Sequence, residues 1–408
     1  MQPTNDFQTL MQRWTTLGPY NAIDLIQLPG SADAARWRDA IVQPMIELGF
    51  PPPDSIATTY PELIAGITAE LNKPFAPEDV PLRFFLIDGE SGSHYFGVTF
   101  DHWIADSPSF RFLTRRAFEN YEAPGVASKL PPLSVCQKPF DSLFGRASWP
   151  AAVVESVQTY LRHSHAYRIP IHDPLNLSSG FQHMRLADGL IGHIYQFAKT
   201  MDATVNDVFL AALLQTMGDY TSAARSSKPS RLFRPGRDDV AFTTAVDLRP
   251  LANESLEDQF GCLISYFSVV VKSPEKISMP DLTRQIAACT KSMKADRKAL
   301  RFFQGFKTSL MFWDHLKNPW QKALMMHRAV PFLGGISNVN LTDTWIGRDG
   351  RIVDYIRVSP TGPLIPAVFT LSTIRDRLSL CVTHRDAVFT KEQAVTIASD
   401  FARRLASL

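Results

Sequence analysis

Cysteine is scarce in this chain of 408 residues: the four, at positions 136, 262, 289 and 381, form no C-x-x-C pair. That spacing excludes the common structural zinc modules, and no metal site is expected. His163 and His165 alternate near His172, but in a proline-containing stretch that reads as solvated loop. Charge of one sign is lacking as well. A net charge of +2 gives no reason for nucleic acid or membrane as a bulk partner. No uncharged run reaches the ~18 apolar residues of a membrane span; residues 360–374 come nearest and contain three prolines. The opening Met1-Gln2-Pro3-Thr4-Asn5-Asp6 has neither a basic region nor an apolar one, so no secretory signal is read and a cytoplasmic protein is expected. The G-x-S-x-G elbow, the Walker A loop, G-x-G-x-x-G and H-E-x-x-H are all absent. Serine hydrolase, nucleotide-binding and zinc-protease readings thereby lose their usual anchors.

What is present is an ordinary globular composition, 45% hydrophobic and 20% charged. The length exceeds the ~250 to 300 residues at which single cores stop growing, so two lobes are expected. The stretch from His163 to Ser179, rich in Pro, His and Ser, suggests the crossing, giving lobes over 1–175 and 176–408. A monomer is expected.

Strand and helix patterns mix throughout. A strand is predicted over Asn21 to Leu28, then a helix from Ala32 to Leu48 that Pro51-Pro52-Pro53 stops. Residues 81–87 and 93–100 read as a hairpin turned by Asp88-Gly89-Glu90-Ser91-Gly92. Helices are predicted over Ala151 to His163 and Leu190 to Lys199. Thr204 with Asp207 resembles a capping box that opens an apolar, buried helix over 205–214. Strands follow at 240–246, 265–271, 367–374 and 378–382, and a last helix at Lys391 to Leu405.

The strand Ser93-His94-Tyr95-Phe96-Gly97-Val98-Thr99-Phe100 carries no Asp, Glu, Lys or Arg, which suits a strand covered on both faces. It runs into Asp101-His102-Trp103-Ile104-Ala105-Asp106-Ser107, an H-x-x-x-D motif. Ser107 followed by Pro108 reads as an N-cap with proline in the first turn, and Phe110, Leu113, Ala117 and Tyr121 share one helical face. His102 and Asp106 therefore lie on a loop gripped between two buried elements, where catalytic groups are commonly placed. The spacing alone fits a satisfied structural His–Asp pair as well.

Four stretches, in order, carry a resemblance: Pro81-Leu82-Arg83 leading to His102-x-x-x-Asp106; Thr204 to Ala212; Ala245-Val246-Asp247-Leu248-Arg249-Pro250 with Phe260-Gly261-Cys262; and Ser337-Asn338-Val339-Asn340. Together they are similar to the chloramphenicol acetyltransferase-like acyltransferases, particularly condensation domains of nonribosomal peptide synthetases and their stand-alone relatives. The resemblance implies an α/β (α+β) sandwich of two lobes forming a V with a central tunnel. It implies His102 as general base, Asp106 as an orienting residue paired with Arg249, and Ser337-Asn338 as a turn of the second lobe. Asp101 stands where condensation domains carry a second His, and Ser107 where they carry Gly; both are kept as substrate-side candidates. So are Ser337, Asn338 and Ser372, which serve equally well as turn residues. The D-F-G-W-G signature of the plant branch is not matched by Asp343-Thr344-Trp345-Ile346-Gly347.

The activity implied is transfer of an acyl group from a thioester to a hydroxyl or amine of a small molecule in a natural-product pathway. No tightly bound cofactor is expected; coenzyme A or a carrier-protein phosphopantetheine is the co-substrate. A thioester is already activated, so no covalent nucleophile is required, and Cys262 and Cys289 read as packing residues. Arg225, Lys228, Arg231, Arg234 and Arg237, or Lys291, Lys294, Arg297, Lys298 and Arg301, could attract the donor's phosphates or an acidic carrier, or simply be solvated faces. Two other readings stay open: an inactive docking module, and a thioester hydrolase.

Overall fold

The computed structural model describes residues 5–56, 58–126, 128, 130–145, 149–226, 237–295, 297–341 and 351–408. The chain divides into two compact units, the first made of 1–146, 247–264 and 341–360, the second of 147–246, 265–340 and 361–408. This differs from the split at 175/176 expected from composition. The stretch 163–179 lies wholly in the second unit, and two later segments return to the first, a rearrangement that no linear change in composition signals.

In the first unit run α1 (Asp6–Trp14), β1 (Asn21–Pro29), α2 (Ala34–Glu47), β2 (Thr59–Tyr60), α3 (Leu63–Asn72), β3 (Leu82–Asp88), β4 (Ser93–Asp101), α4 (Ser107–Glu122), β5 (Ser134–Val135) and α5 (Phe140–Phe144). The second begins with α6 (Trp149–Arg162), β6 (Ser179–Arg185), α7 (Leu190–Thr200), α8 (Val205–Ser226) and β7 (Asp239–Asp247). Then come β8 (Gln259–Phe260), β9 (Ile264–Lys272), α9 (Met279–Ala295), α10 (Lys298–His315), α11 (Pro319–Ala329), β10 (Gly334–Asn340), β11 (Asp354–Val358), β12 (Ala367–Ile374), β13 (Arg377–Arg385) and α12 (Lys391–Ala406). Among the described residues no helix is long and apolar enough to cross a membrane.

The first unit is built on a five-stranded sheet in the order β11-β1-β4-β3-β2, with β5 and β8 pairing separately. β4 is its centre, antiparallel to both β1 and β3. Side chains alternate along it. Phe96 and Phe100 face α2 and α4, where Trp37 stacks on Phe96 at 3.9 Å and Phe110 on Phe100 at 3.4 Å. Thr99 faces the other way and donates to Glu70 of α3 at 3.0 Å. On that same face Gly97 lies under the Phe85 ring, so close that a Cβ would sit 2.3 Å from Cζ. Both faces are covered, which is why the strand carries no charge before Asp101.

The second unit holds a six-stranded sheet, β6-β13-β12-β10-β7-β9. α8 packs in its core, with residues 208–214 fully buried. Its start is the expected reciprocal cap: Thr204 N–H donates to Asp207 Oδ2 at 2.8 Å and Asp207 N–H to Thr204 Oγ1 at 3.3 Å. Thr290 of α9 donates to Asp207 Oδ1 at 2.8 Å, so the shorter acid ties two helices together. α8 runs on to Ser226, past the expected end at 214.

Three expectations are corrected. Ser337 to Asn340 is no turn: it belongs to β10, parallel to both β7 and β12. His163 is no solvated loop residue but is buried, its ring against Phe332 and its Nδ1 2.7 Å from the Thr159 carbonyl. Arg225 is no solvated residue open to a donor: it is buried at the end of α8 and paired to Glu275 at 2.7 Å. Lys228, Arg231 and Arg234, like Asp343 to Gly347, lie outside the described residues.

Candidate active site

Every residue of the H-x-x-x-D motif lies in the first unit, and so does Arg249. As β4 ends, His102 N–H donates to the Tyr20 carbonyl at 3.0 Å, and Asp106 N–H to the Gly261 carbonyl at 3.2 Å. The loop is therefore pinned at both ends by backbone. Asp106, and not Ser107, is the N-cap of α4: its Oδ1 accepts the Ser109 amide at 3.1 Å. Both residue types cap well, and Pro108 is tolerated either way because first-turn amides have no intrahelical partner. Ser107 instead accepts from Arg111 at 3.1 Å.

The Asp106 carboxylate is fully buried and takes five hydrogen bonds. Arg249 supplies two, Nη1 to Oδ2 and Nη2 to Oδ1, each at 2.9 Å, in the fork geometry that planar guanidinium and carboxylate share. The Leu263 amide adds one at 2.8 Å, and Ser109 donates through its amide and its hydroxyl. Burial alone would raise the Asp106 pKa. The Arg249 charge and these donors override it and hold the acid below the ordinary carboxylate value. Asp106 thus has no spare capacity for chemistry; it closes the loop onto residues 247–264. Ser109, which also touches Gly261 and Arg249, belongs to this network and gave no sequence signal beyond its place in the first turn.

His102 is 5% exposed, its ring stacked beside Tyr20 at 5.7 Å and edge-on to Phe100 at 6.0 Å. Its Nδ1 lies 3.1 Å from the Ala105 carbonyl oxygen. A carbonyl only accepts, so Nδ1 carries the hydrogen and Nε2 the lone pair. Burial first, and then the charge of Arg357, push the imidazole pKa down to about 4. The ring is neutral at physiological pH, with one nitrogen free to take a proton.

Arg357 escaped sequence reasoning. It sits on β11 directly opposite Asp24 of β1, and its guanidinium lies 5.2 Å from the Phe100 ring centroid. Asp24, Tyr355 and Arg357 are all buried, with Tyr355 Oη donating to Asp24 Oδ1 at 2.5 Å and Arg357 Nε 3.7 Å from the same oxygen. A Phe-flanked ion pair thus stands behind the imidazole.

Asp101 points to the other face of β4. It is 7% exposed, its Oδ1 has no partner, and burial, against the Trp103 N–H groups, pushes its pKa up to about 7. A carboxyl there loses a proton to become an anion, whereas a histidine gains one to become a cation. Ser337 and Asn338 lie on β10 and Ser372 on β12, all in the second unit. Asn338 is exposed, and Ser372 is buried with an unpartnered hydroxyl. The Cys262 thiol is buried and driven well above its usual pKa by desolvation and the Asp106 charge, which suits a packing residue.

No family model matches the chain, and no curated protein matches it. Solved structures do. A trichothecene 15-O-acetyltransferase from Fusarium sporotrichioides superposes with a TM-score of 0.68 at 11% identity, over 99% of this chain and 94% of that one. The fold is that of condensation domains. The condensation domain of the monacolin K polyketide synthase matches over 99% of this chain and 96% of its own, with a TM-score of 0.65 and 12% identity. The X-domain from teicoplanin biosynthesis has the same condensation-domain fold, with a TM-score of 0.61, 15% identity, and 99% and 94% covered. At such identities the likeness establishes the fold, of the chloramphenicol acetyltransferase-like type, and leaves the chemistry to the site.

Proposed function

We propose that this protein is an acyltransferase that moves an acyl group from a coenzyme A or carrier-protein thioester to a hydroxyl or amine of a small molecule, with His102 as general base. The observation that carries the reading is the hydrogen bond from His102 Nδ1 to Ala105, which leaves Nε2 as the basic atom of a neutral ring. The acceptor's O–H or N–H gives its proton to Nε2 as its heteroatom attacks the thioester carbon. The tetrahedral oxyanion then collapses, the C–S bond breaks, and the thiolate recovers that proton from the imidazolium. Asp106 and Arg249 are positioning residues that fix the loop presenting the ring. The acetyltransferase and condensation domains of the same fold support this class of reaction.

A binding role is the second reading, favoured by Asp101 in place of a second histidine and by the fold shared with the X-domain, which has been solved in complex with OxyB. Incubation with a panel of acyl thioesters and alcohol or amine acceptors tests both. The wild type is expected to form ester or amide, and His102→Ala to lose ~10²-fold or more of the rate. Equal rates would end the general-base proposal, and free acid as the product even with acceptor present would indicate hydrolysis.

A further inference from the structure

Away from the motif, the second unit contains a pocket walled by α6, α10 and α11, with a volume of about 410 Å³. Val153, Val157, Phe302, Phe306, Met326 and Val330 are among the residues of its mainly apolar wall, and Glu155 is the one charged residue in its lining among those described. Val157, Tyr160 and Phe312 stand more than half exposed at its rim. Concave, mostly apolar spaces of this size are what small ligands occupy.

Gly305 supplies a second, independent sign. It lies in the interior of α10 and lines the pocket, although glycine there costs about 1 kcal/mol of helix stability relative to alanine. Close helix packing does not demand it. A Cβ at this position would make an ordinary 3.5 Å contact with Ser156 Oγ and meet nothing else within 4 Å. The missing side chain does, however, keep the space between α6 and α10 open.

We propose that this pocket binds an unbranched, uncharged alkyl chain. At interior packing density a methylene fills roughly 27 Å³, so the volume accommodates on the order of ten to fifteen of them. A free carboxylate is disfavoured in the interior by Glu155, which points to an alcohol, ester or thioester tail and away from a fatty-acid anion. The concave wall favours a chain over a flat protein partner. The inference is independent of the role given to His102.

The test uses the full chain and N-phenyl-1-naphthylamine, a neutral fluorescent probe, displaced by n-alkanols from C4 to C18 and, in a second arm, by n-alkanoyl coenzyme A thioesters of the same lengths. Saturable binding is expected, with affinity rising about fourfold per methylene and levelling off between roughly C10 and C15, the length at which the pocket is full. Displacement by the thioesters in the same length order identifies the tail of an acyl donor; displacement by alkanols alone identifies a free lipid. Gly305→Ala is expected to fold normally and to shorten the length at the plateau by about one methylene. Gly305→Phe is expected to weaken C12 binding at least tenfold. Absence of saturable probe uptake, affinity indifferent to chain length, or an unchanged C12 affinity in a folded Gly305→Phe variant would each overturn the proposal. So would probe uptake that vanishes on self-association in sedimentation, which would make the pocket part of a contact between copies.

Discussion

Removing the guanidinium from Arg249 isolates the physical logic of the motif. Arg249→Met keeps the apolar stem of the side chain but deletes two of the five donors to Asp106 and its only charge-paired partner among them. The carboxylate stays fully buried with the Leu263 amide and Ser109 as its remaining donors. Breaking one side of a buried pair costs about 3–5 kcal/mol. Because three donors remain, the lower end is expected. The chain has two compact units, so a single unfolding free energy is a poor measure. Amide exchange by mass spectrometry is better suited, read on peptides that contain residues 106–110 and 259–264. At ~1.4 kcal/mol per factor of ten, a loss of ~3 kcal/mol speeds exchange there by roughly 10² or more if these peptides open locally. The linkage sign gives a further check. Asp106 has a folded pKa below its unfolded one, so its contribution is present above the unfolded value near ~4 and fades as pH falls through the folded value. Arg249→Met should lack that component of acid destabilisation. A double variant with Asp106→Asn should cost much less than the two single changes summed, since neither charge is then left alone. Exchange rates within threefold of wild type, or strictly additive costs, would refute the idea that this pair holds the loop.

Other consequences can be measured directly. For the proposed transfer, kcat/KM should stay flat down to about pH 5 and fall about tenfold per unit below 4, because His102 must be unprotonated and its pKa lies near 4; an acid limb centred at 6.5 would contradict the buried, Arg357-facing imidazole. Arg357→Met should move that limb upward in pH while sparing the Nδ1 contact to Ala105, and an unmoved limb would remove Arg357 from the site. Gly97→Ala, whose Cβ would meet Phe85 at 2.3 Å, should cost ~1–3 kcal/mol, with partial recovery in Gly97→Ala/Phe85→Leu; a neutral melting curve would mean β4 has room to spare. His102, His163 and His327 are all pushed down to about 4, chiefly by burial. Their contribution to stability is complete above the unfolded value of ~6.5 and declines as pH drops toward 4, so the thermal midpoint should fall over that window and His163→Gln should flatten the decline.

Much of the fold is legible in the residues themselves. β12 begins just after Pro366 and ends where its uncharged run does, before Arg375, and β4 declares itself by carrying no charge from Ser93 to Phe100. The Thr204–Asp207 cap is readable because it is local. Elements resist reading where tertiary partners override local chemistry. β11 has an Asp and an Arg within five residues, a poor strand by composition, and it takes Asp24, the Ile23 and Val358 carbonyls and the Phe100 ring to make that Arg tolerable. Ser337 and Asn338 look like turn residues until the parallel strand β12 claims them, Ser337 opposite Thr370 and Asn338 opposite Leu371. For the site, the spacing nominated His102 and Asp106, while the Arg249 partner came from resemblance to a family, since 143 residues separate it from Asp106. Arg357 and Ser109 are invisible without coordinates, because their roles rest on register and on a cap shifted by one residue.

The edge position of β11 has a consequence for how the protein is made. β1 is flanked on one side by β4, fewer than a hundred residues away, and on the other by a strand that ends at Val358. On the ribosome, the β1 edge of the first sheet therefore waits unpaired until residues 354–358 have emerged. Asp106 waits for its counter-ion as well, until residue 249 appears. Nascent chains released early carry an unguarded edge and an orphaned acid, and such species self-associate. Synthesis speed through the stretch between Arg249 and Val358 thus becomes a determinant of yield, separate from the stability of the finished molecule.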